Sequence, residues 1–332
     1  MEAAAVNTPV KRTYKKSSMA KRNLEKFLRN KLAIIGFALI LIMIVLCFGA
    51  PLFTKYDPNA MSLSELTKAP SAKHLFGTDK LGRDVFARVL YGGRISIFIG
   101  LAGALGGMIL GVIFGSLAGY TGGWFDAFMV KVAELVSSVP QALLVLVLVV
   151  IAGQGMQNLI YVFVGTGWIA TFRLTRGRFF SLREESFVEA SRAFGISKLS
   201  IVFRHILPNC LGPVVVQLTL NTAGFILQEA ALSYLGLGVP SNTVTWGNIM
   251  NAAKEIIVIY KYPWMWVPAG IAVALFVLGV NFFGDGLRDV FDPNQLEGRG
   301  MQWKRITITF SRSRICIRSS SSANGSSRPW TA

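Results

Sequence analysis

The sequence predicts an all-α, polytopic membrane protein with six transmembrane helices. Of its 332 residues, 52% are apolar and only 15% are charged, and the mean hydropathy is +0.50; about a quarter of a soluble domain is charged. Several uncharged runs reach the ~20 residues that a helix needs to cross a bilayer. A formal net charge of +17 could attract nucleic acid. The high hydropathy disfavours a soluble nucleic-acid-binding protein, so no nucleic-acid partner is expected.

The predicted spans follow the uncharged runs along the chain. Five runs stand out: residues 32–54, 95–125, 135–172, 206–237 (interrupted only by Glu229) and 262–284. The run 135–172 is long enough for two short spans, separated by a turn at Gly153, Gln154 and Gly155, because glycine favours turns. The runs therefore predict six spans.

The segments between the spans complete the predicted organisation. The chain divides into a basic N-terminus (1–31), a first transmembrane helix (32–54), a loop (55–94), a core domain of five transmembrane helices (95–290) and a tail (291–332). The loop is expected to contain an interfacial helix that enters the membrane, because four apolar residues follow a turn-rich stretch and share one face: Val85, Phe86, Val89 and Leu90. In the tail, residues 301–332 hold six Lys and Arg, eight Ser and no acid, which predicts a disordered or non-native end.

The distribution of positive residues predicts the orientation in the membrane. Of the 34 Lys and Arg residues, 24 lie in residues 1–31, 173–209 and 285–332, and eight lie in residues 54–92, 153–157 and 238–263. Because positive residues concentrate in cytoplasmic loops, both termini and the loop 173–209 are predicted to be cytoplasmic, and residues 55–94 extracytoplasmic. Three tryptophans are expected to anchor the chain at the opposite membrane interface: Trp246, Trp264 and Trp266.

The loop 173–209 contains a predicted short amphipathic helix. Ser181 and Glu184 have the spacing of a capping box, and Gly195 is a plausible helix stop. Four residues share one face of this helix: Phe187, Ala190, Ser191 and Phe194. The physical pattern fits a helix that lies on lipid headgroups or one that docks into the groove of a partner.

Motifs in this loop and elsewhere resemble a known family. Glu189-Ala190-Ser191, three residues, Gly195 and then Ile206-Leu207-Pro208 resemble the EAA loop of ABC importer permeases. The sequence departs from the family pattern by Ser191 in place of a second Ala, and by His205 in an Ile position. Three further stretches resemble the dipeptide, oligopeptide and nickel branch of that family: residues 74–100, 229–250 and 281–293.

This resemblance implies a fold, a function and partners. It implies a type I ABC importer permease of the bacterial or archaeal inner membrane, importing dipeptides, oligopeptides or nickel. The implied partners are membrane lipid, a second homologous permease, two P-loop ATPase subunits that hold ATP and Mg, and an extracytoplasmic solute-binding protein. The resemblance places ATPase coupling on eight residues: Phe187, Glu189, Ala190, Ser191, Phe194, Gly195, Leu207 and Pro208. The helix near residue 85 would then be either a structural corner or a contact for the solute-binding protein.

Polar residues in the fifth span are candidates for the translocation path. Gln217, Asn221 and Gln228 fall on a narrow arc of the helix, and amides avoid hydrocarbon. They could line the path or form interhelical hydrogen bonds. Glu229, off that arc, could make a structural hydrogen bond to the outer loop or relay protons.

Five glycines at four-residue intervals form a stripe on the second span: Gly103, Gly107, Gly111, Gly115 and Gly119. Small residues let membrane helices approach closely. A four-residue step drifts by about 40° around an ideal helix, which suggests contact with more than one neighbour. The stripe could pack within the chain or form a subunit interface.

The sequence contains no motif for catalysis or metal binding. It has no GxxxxGK[ST], HExxH or GxSxG, its only histidines are His74 and His205, and its three cysteines are far apart. The chain is therefore predicted to be a transport subunit rather than an enzyme, with no catalytic residue, metal or cofactor of its own. The alternatives are an ion-coupled secondary transporter, which would need intramembrane ionisable residues, and a membrane scaffold protein.

Overall fold

A computed structural model describes residues 26–291, and this part of the chain is helical, with no β-strand. Its eight main helices are α1 (Lys31–Phe48), α2 (Val85–Thr121), α3 (Gly123–Ser137), α4 (Gln141–Ala152), α5 (Met156–Leu182), α6 (Ser186–Ala193), α7 (Leu207–Leu235) and α8 (Val267–Phe291). Shorter helices are named by their residues. The predicted tail, residues 301–332, and most of the predicted N-terminus lie outside the described residues.

The apolar helices confirm the predicted all-α, polytopic fold class. Four helical segments are long and apolar enough to cross a membrane: α1, α2, α8 and the continuous segment Lys198–Leu235 that contains α7. The bent pair α3 and α4 makes a fifth. Counting α5, which lies along α2 and carries more polar residues, the helix order is compatible with six spans.

Helix α2 begins ten residues before the predicted second span. The residues predicted as an interfacial helix, 85–94, form the first turns of α2 and are continuous with the span. Asp84 caps it, because its Oδ1 accepts a hydrogen bond from the amide of Ala87 at 2.6 Å. Gly92 and Gly93 do not break the helix; they let it approach the backbone of Thr245 and the ring of Trp246.

The loop predicted as 173–209 is shorter than the charge pattern suggests. Helix α5 continues to Leu182, and the continuous helical segment that contains α7 already starts at Lys198, so only α6 and its short flanks lie between them. An uncharged run shows only which part of a helix can lie in hydrocarbon. Helix α5 continues beyond that part, through Arg173, Arg176 and Arg178. The predicted capping box is not formed either, because Ser181 remains within α5 and Glu185 precedes α6 without a side-chain cap.

The predicted third span is broken into two helices. The helices α3 and α4 meet at an angle of 86° across residues 138–140. Pro140 precedes the first turn of α4, and the residue before a proline disfavours helical backbone. The following turn lies where the sequence predicts it, between Ala152 and Met156.

The glycine stripe of α2 lies against a single neighbour, α5. A Cβ on Gly107 would meet the backbone of Gly167 at 3.0 Å, and one on Gly115 would meet the carbonyl oxygen of Phe172 at 2.8 Å. The five contact positions on α5 also advance by four residues: Phe163, Gly167, Thr171, Thr175 and Phe179. Because both stripes drift in the same way, the two parallel helices stay in contact along the whole stripe, rather than facing several neighbours.

The segment before α2 is fixed by charged side chains. His74 is buried, with Nδ1 at 2.8 Å from Asp84 Oδ2 and Nε2 at 3.1 Å from Glu65 Oε2. A hydrogen bond from Lys73 lowers the pKa of Glu65, and a hydrogen bond from His74 lowers it further by a smaller amount. Trp246 is not available to anchor the chain in lipid as expected, because it is fully buried inside the protein and its Nε1 donates to the carbonyl of Val89 at 2.9 Å.

Candidate coupling and translocation sites

Helix α6 is anchored to the bundle by one buried face. Val188 is fully buried and packs in a cluster with Phe179, Ile201, Ile206 and Cys210. Ser191 is also buried, and its hydroxyl donates to the carbonyl of Phe187 at 2.7 Å. The predicted shared face is therefore split, because Ser191 points inward whereas Phe187 and Phe194 are exposed.

The C-terminus of α6 has the geometry of a Schellman motif. Gly195 has φ +74°, its amide donates to the carbonyl of Arg192 at 2.9 Å, and the amide of Ile196 donates to the carbonyl of Ser191 at 3.1 Å. This left-handed conformation is readily adopted by glycine. A Cβ on Gly195 would have no neighbour within 4 Å, so the surroundings leave room for a side chain.

Helix α6 and the residues after it expose an apolar surface, which we call the α6 surface. Phe194 is 85% exposed and Leu199 is 70% exposed. The surface comprises Phe187, Phe194, Ile196, Leu199 and Phe203. Glu189, Ala190 and Pro208 are exposed, Leu207 is half-buried, and Glu189 has no ion-pair partner among residues 26–291. Exposed apolar clusters of this kind mark interaction surfaces.

The polar residues of α7 separate into two groups. Gln217 Nε2 donates to Asn221 Oδ1 at 2.9 Å, and both side chains are half-buried. Asn221 also lines a cavity of about 280 Å³ beneath the α3–α4 bend, together with Gly167, Arg173 and Pro140. Gln228 lies nearer the C-terminal end of the helix, and its buried Oε1 has no hydrogen-bond partner among the described residues.

Glu229 belongs to a buried hydrogen-bond network. Its Oε2 accepts from the hydroxyl of Ser96 at 2.8 Å and its Oε1 from that of Ser233 at 2.9 Å. Ser96 in turn accepts from the amide of Trp246 at 3.2 Å. Glu229 thus ties α7 to α2 and to the segment before α8. Neither serine is among the residues predicted from the sequence, although Ser233 lies four residues after Glu229 and therefore on the same helical face.

Within residues 26–291, no group of three or more His, Cys, Asp or Glu side chains could hold a metal ion.

Arg176 and Asp126 form a bidentate pair between α5 and α3, with Nη2 donating to Oδ2 at 2.6 Å. This pair joins α5 to the first turn of α3, at the end of α3 away from the bend. The two features that could serve transport are the half-buried polar residues Gln217 and Asn221 and the exposed α6 surface.

The chain matches the family model described as the inner membrane component of binding-protein-dependent transport systems over residues 111–296. Residues 18–70 match the N-terminal transmembrane domain of oligopeptide transport permease C. It is 41% identical over 272 residues to a protein of Brucella suis named as a peptide permease, covering 82% of this chain and 90% of that one.

Two further relatives have more specific names. The oligopeptide transport system permease protein OppC of Bacillus subtilis is 40% identical, covering 88% of this chain and 96% of the relative. The dipeptide transport system permease protein DppC of Alkalihalophilus pseudofirmus is 38% identical, covering 80% and 86%. The relatives are transport permeases rather than enzymes, and the chain belongs to the family of inner-membrane permease components of binding-protein-dependent ABC importers.

Proposed function

We propose that the chain forms, with a second related permease, the membrane path of an ABC importer for dipeptides or oligopeptides. The names of its relatives support this cargo over nickel. ATP and Mg would be held by two separate P-loop ATPase subunits, and a solute-binding protein would deliver the peptide from outside. The predicted orientation, with both termini and α6 in the cytoplasm, brings the ATPases and α6 to the same side.

The α6 surface is the observation that carries the coupling part of this proposal. Helix α6 is short, its inner face is anchored by Val188, and its outer face is apolar and exposed. A rigidly held helix with an exposed apolar face suits docking into a groove of a partner. Closure of the ATPases around ATP would then displace α6 and, through the cluster of Phe179, Ile201 and Cys210, the ends of α5 and α7.

Deleting the gene for this chain from the bacterium that carries it tests the proposed peptide import directly. Uptake of radiolabelled trialanine should fall to the background level, and the full chain restored on a plasmid should recover it. Uptake of radioactive nickel serves as the comparison and should be unchanged. Persistent trialanine uptake in the deleted strain, or a selective loss of nickel uptake, would contradict the proposed cargo.

Replacing Glu229 by glutamine separates this proposal from an ion-coupled transporter. The side-chain oxygen of a glutamine can accept from one of the two serine hydroxyls, and its amide nitrogen can donate to the other. Uptake should therefore stay within about threefold of wild type, with an unchanged pH profile. Glu229→Leu leaves both serine hydroxyls without their acceptor and should lower stability by about 1–3 kcal/mol. Abolished uptake by a stably folded Glu229→Gln protein would instead favour proton coupling.

A further inference from the structure

A second cavity of about 600 Å³ lies at the N-terminal end of α2. We call it the arginine cavity. Its wall is built from separate parts of the chain: the turn of Asp79 to Arg83, Arg88 in the first turns of α2, Gln154, residues 236–254 and Met265. Its volume lies in the range of small-molecule sites, and neither the sequence motifs nor the names of the relatives assign it a role.

The wall of the arginine cavity is strongly cationic. Four positive side chains line it: Lys80, Arg83, Arg88 and Lys254. Among the residues that the structure describes, Asp79 is the only carboxylate in the wall. Lys80 pairs with Glu255 beside the cavity, so three cations and one carboxylate remain.

Asp79 orients two guanidinium groups. Its Oδ2 accepts from Arg83 Nε at 2.7 Å and lies 3.7 Å from Arg88 Nε. Arg88 is 4% exposed, and its Nη1 donates to the carbonyl of Pro58 at 3.2 Å. The two terminal nitrogens of Arg83 have no hydrogen-bond partner within residues 26–291, so they remain able to donate to a ligand.

The amide groups of two asparagines in the wall donate to backbone carbonyls of the chain. Asn248 Nδ2 donates to three backbone carbonyls, those of Val239, Pro240 and Thr243, at 2.9 to 3.1 Å. Asn251 Nδ2 donates to the carbonyl of Tyr234 at 2.7 Å. These amide groups shape the wall, and the unsatisfied donors are concentrated on the cationic side. A preformed site of this kind loses little entropy when it binds a ligand.

We infer that the arginine cavity binds the C-terminal carboxylate of the cargo peptide. A guanidinium with two free terminal NH2 groups matches the geometry of a carboxylate. Every linear peptide with a free C-terminus carries one such group, whereas its side chains vary, so the site would recognise peptides without selecting their sequence. The inference rests on the proposed peptide cargo. Under the predicted orientation, the cavity faces the side from which the peptide arrives.

Binding to the full chain in lipid nanodiscs tests this inference, with equilibrium dialysis as the measurement. The probes are trialanine, N-acetyl-trialanine and trialanine amide, which differ at one terminus only. We expect trialanine and its N-acetyl form to bind similarly, and the amide to bind about tenfold more weakly. Arg83→Gln should weaken trialanine binding by about tenfold and leave binding of the amide unchanged.

Two further variants test whether a loss of binding comes from the positive charge in the cavity or from a general disturbance of the fold. Lys254→Gln removes a second cation of the wall and should weaken trialanine binding in the same way. Lys68→Gln removes an exposed cation from the same segment outside the cavity and should have no effect. Equal binding of trialanine and its amide, or wild-type binding by Arg83→Gln and Lys254→Gln, overturns the inference, whereas the uptake result of the deleted strain still decides the proposed function.

A carboxylate of the solute-binding protein is the other source of the same chemistry. If Arg83→Gln weakens docking of the solute-binding protein to the assembled transporter, but leaves trialanine binding to the chain at the wild-type level, the site belongs to that protein and the inference is wrong. If peptide binding falls and docking is unchanged, the peptide carboxylate is the ligand.

Discussion

Replacing Gly111 by leucine is expected to disrupt the packing of α2 against α5 and to reduce strongly the amount of folded protein. A Cβ at this position would lie 2.6 Å from the carbonyl oxygen of Trp168 and 2.9 Å from the amide nitrogen of Phe172. Both are backbone atoms, so no side-chain rotation can relieve the contact. Gly111→Ala should already lower stability by about 1–3 kcal/mol, and leucine by more. The thermal unfolding midpoint of the purified full chain measures the loss.

Gly165 supplies the matched control for this prediction. It lies on α5, the partner helix, and a Cβ there would meet nothing within 4 Å. Gly165→Leu should therefore leave the midpoint close to wild type, because glycine is the poorer helix former. If the stripe served only as an interface between subunits, Gly111→Leu would impair assembly of the complex and leave the midpoint of the isolated chain unchanged, which would contradict the intrachain packing.

Much of the fold follows from charge and glycine spacing because a membrane imposes simple requirements. A span must be uncharged over its hydrocarbon length, so the runs locate α1, α2, α7 and α8. The same criterion misplaces the ends of α2 and α5, since a helix continues beyond the membrane wherever its backbone remains capped or hydrogen-bonded. The angle of 86° at the break before Pro140 is not predicted either, because a proline disfavours helical backbone before it without fixing the direction of the next helix.

The candidate sites were predictable to different degrees. The sequence predicts Gly195 as a helix stop because its left-handed conformation is a local property. The partners of Glu229 are not predicted, because Ser96 lies 133 residues away in sequence and hydroxyls are common in membrane helices. The sequence does not predict the arginine cavity either, because Lys254 lies far from Arg83 and Arg88 in sequence and only folding places them around one space.

Replacing Gly195 by aspartate is expected to leave the chain folded in the membrane and to stop uptake. The site is open, since a Cβ on Gly195 has no neighbour within 4 Å, and aspartate tolerates the left-handed conformation better than most residues. The strain should therefore cost only about 1–2 kcal/mol. The new carboxylate, however, stands between Phe194 and Ile196 on the α6 surface, where the proposed ATPase contact would have to desolvate it. Uptake of trialanine should fall at least about tenfold, at wild-type abundance in the membrane.

Three substitutions at this one position distinguish the possible causes of that loss. Alanine imposes the backbone strain with almost no added bulk, asparagine adds the bulk and shape of aspartate without its charge, and aspartate adds the charge. If desolvation at a docked interface is responsible, uptake should decrease from alanine to asparagine to aspartate, and stimulation of the partner ATPase should decrease in parallel. If the α6 surface merely lay on lipid headgroups, the ATPase would respond normally in all three variants. Normal uptake and ATPase stimulation in Gly195→Asp would show that α6 does not transmit ATP-driven motion to the bundle.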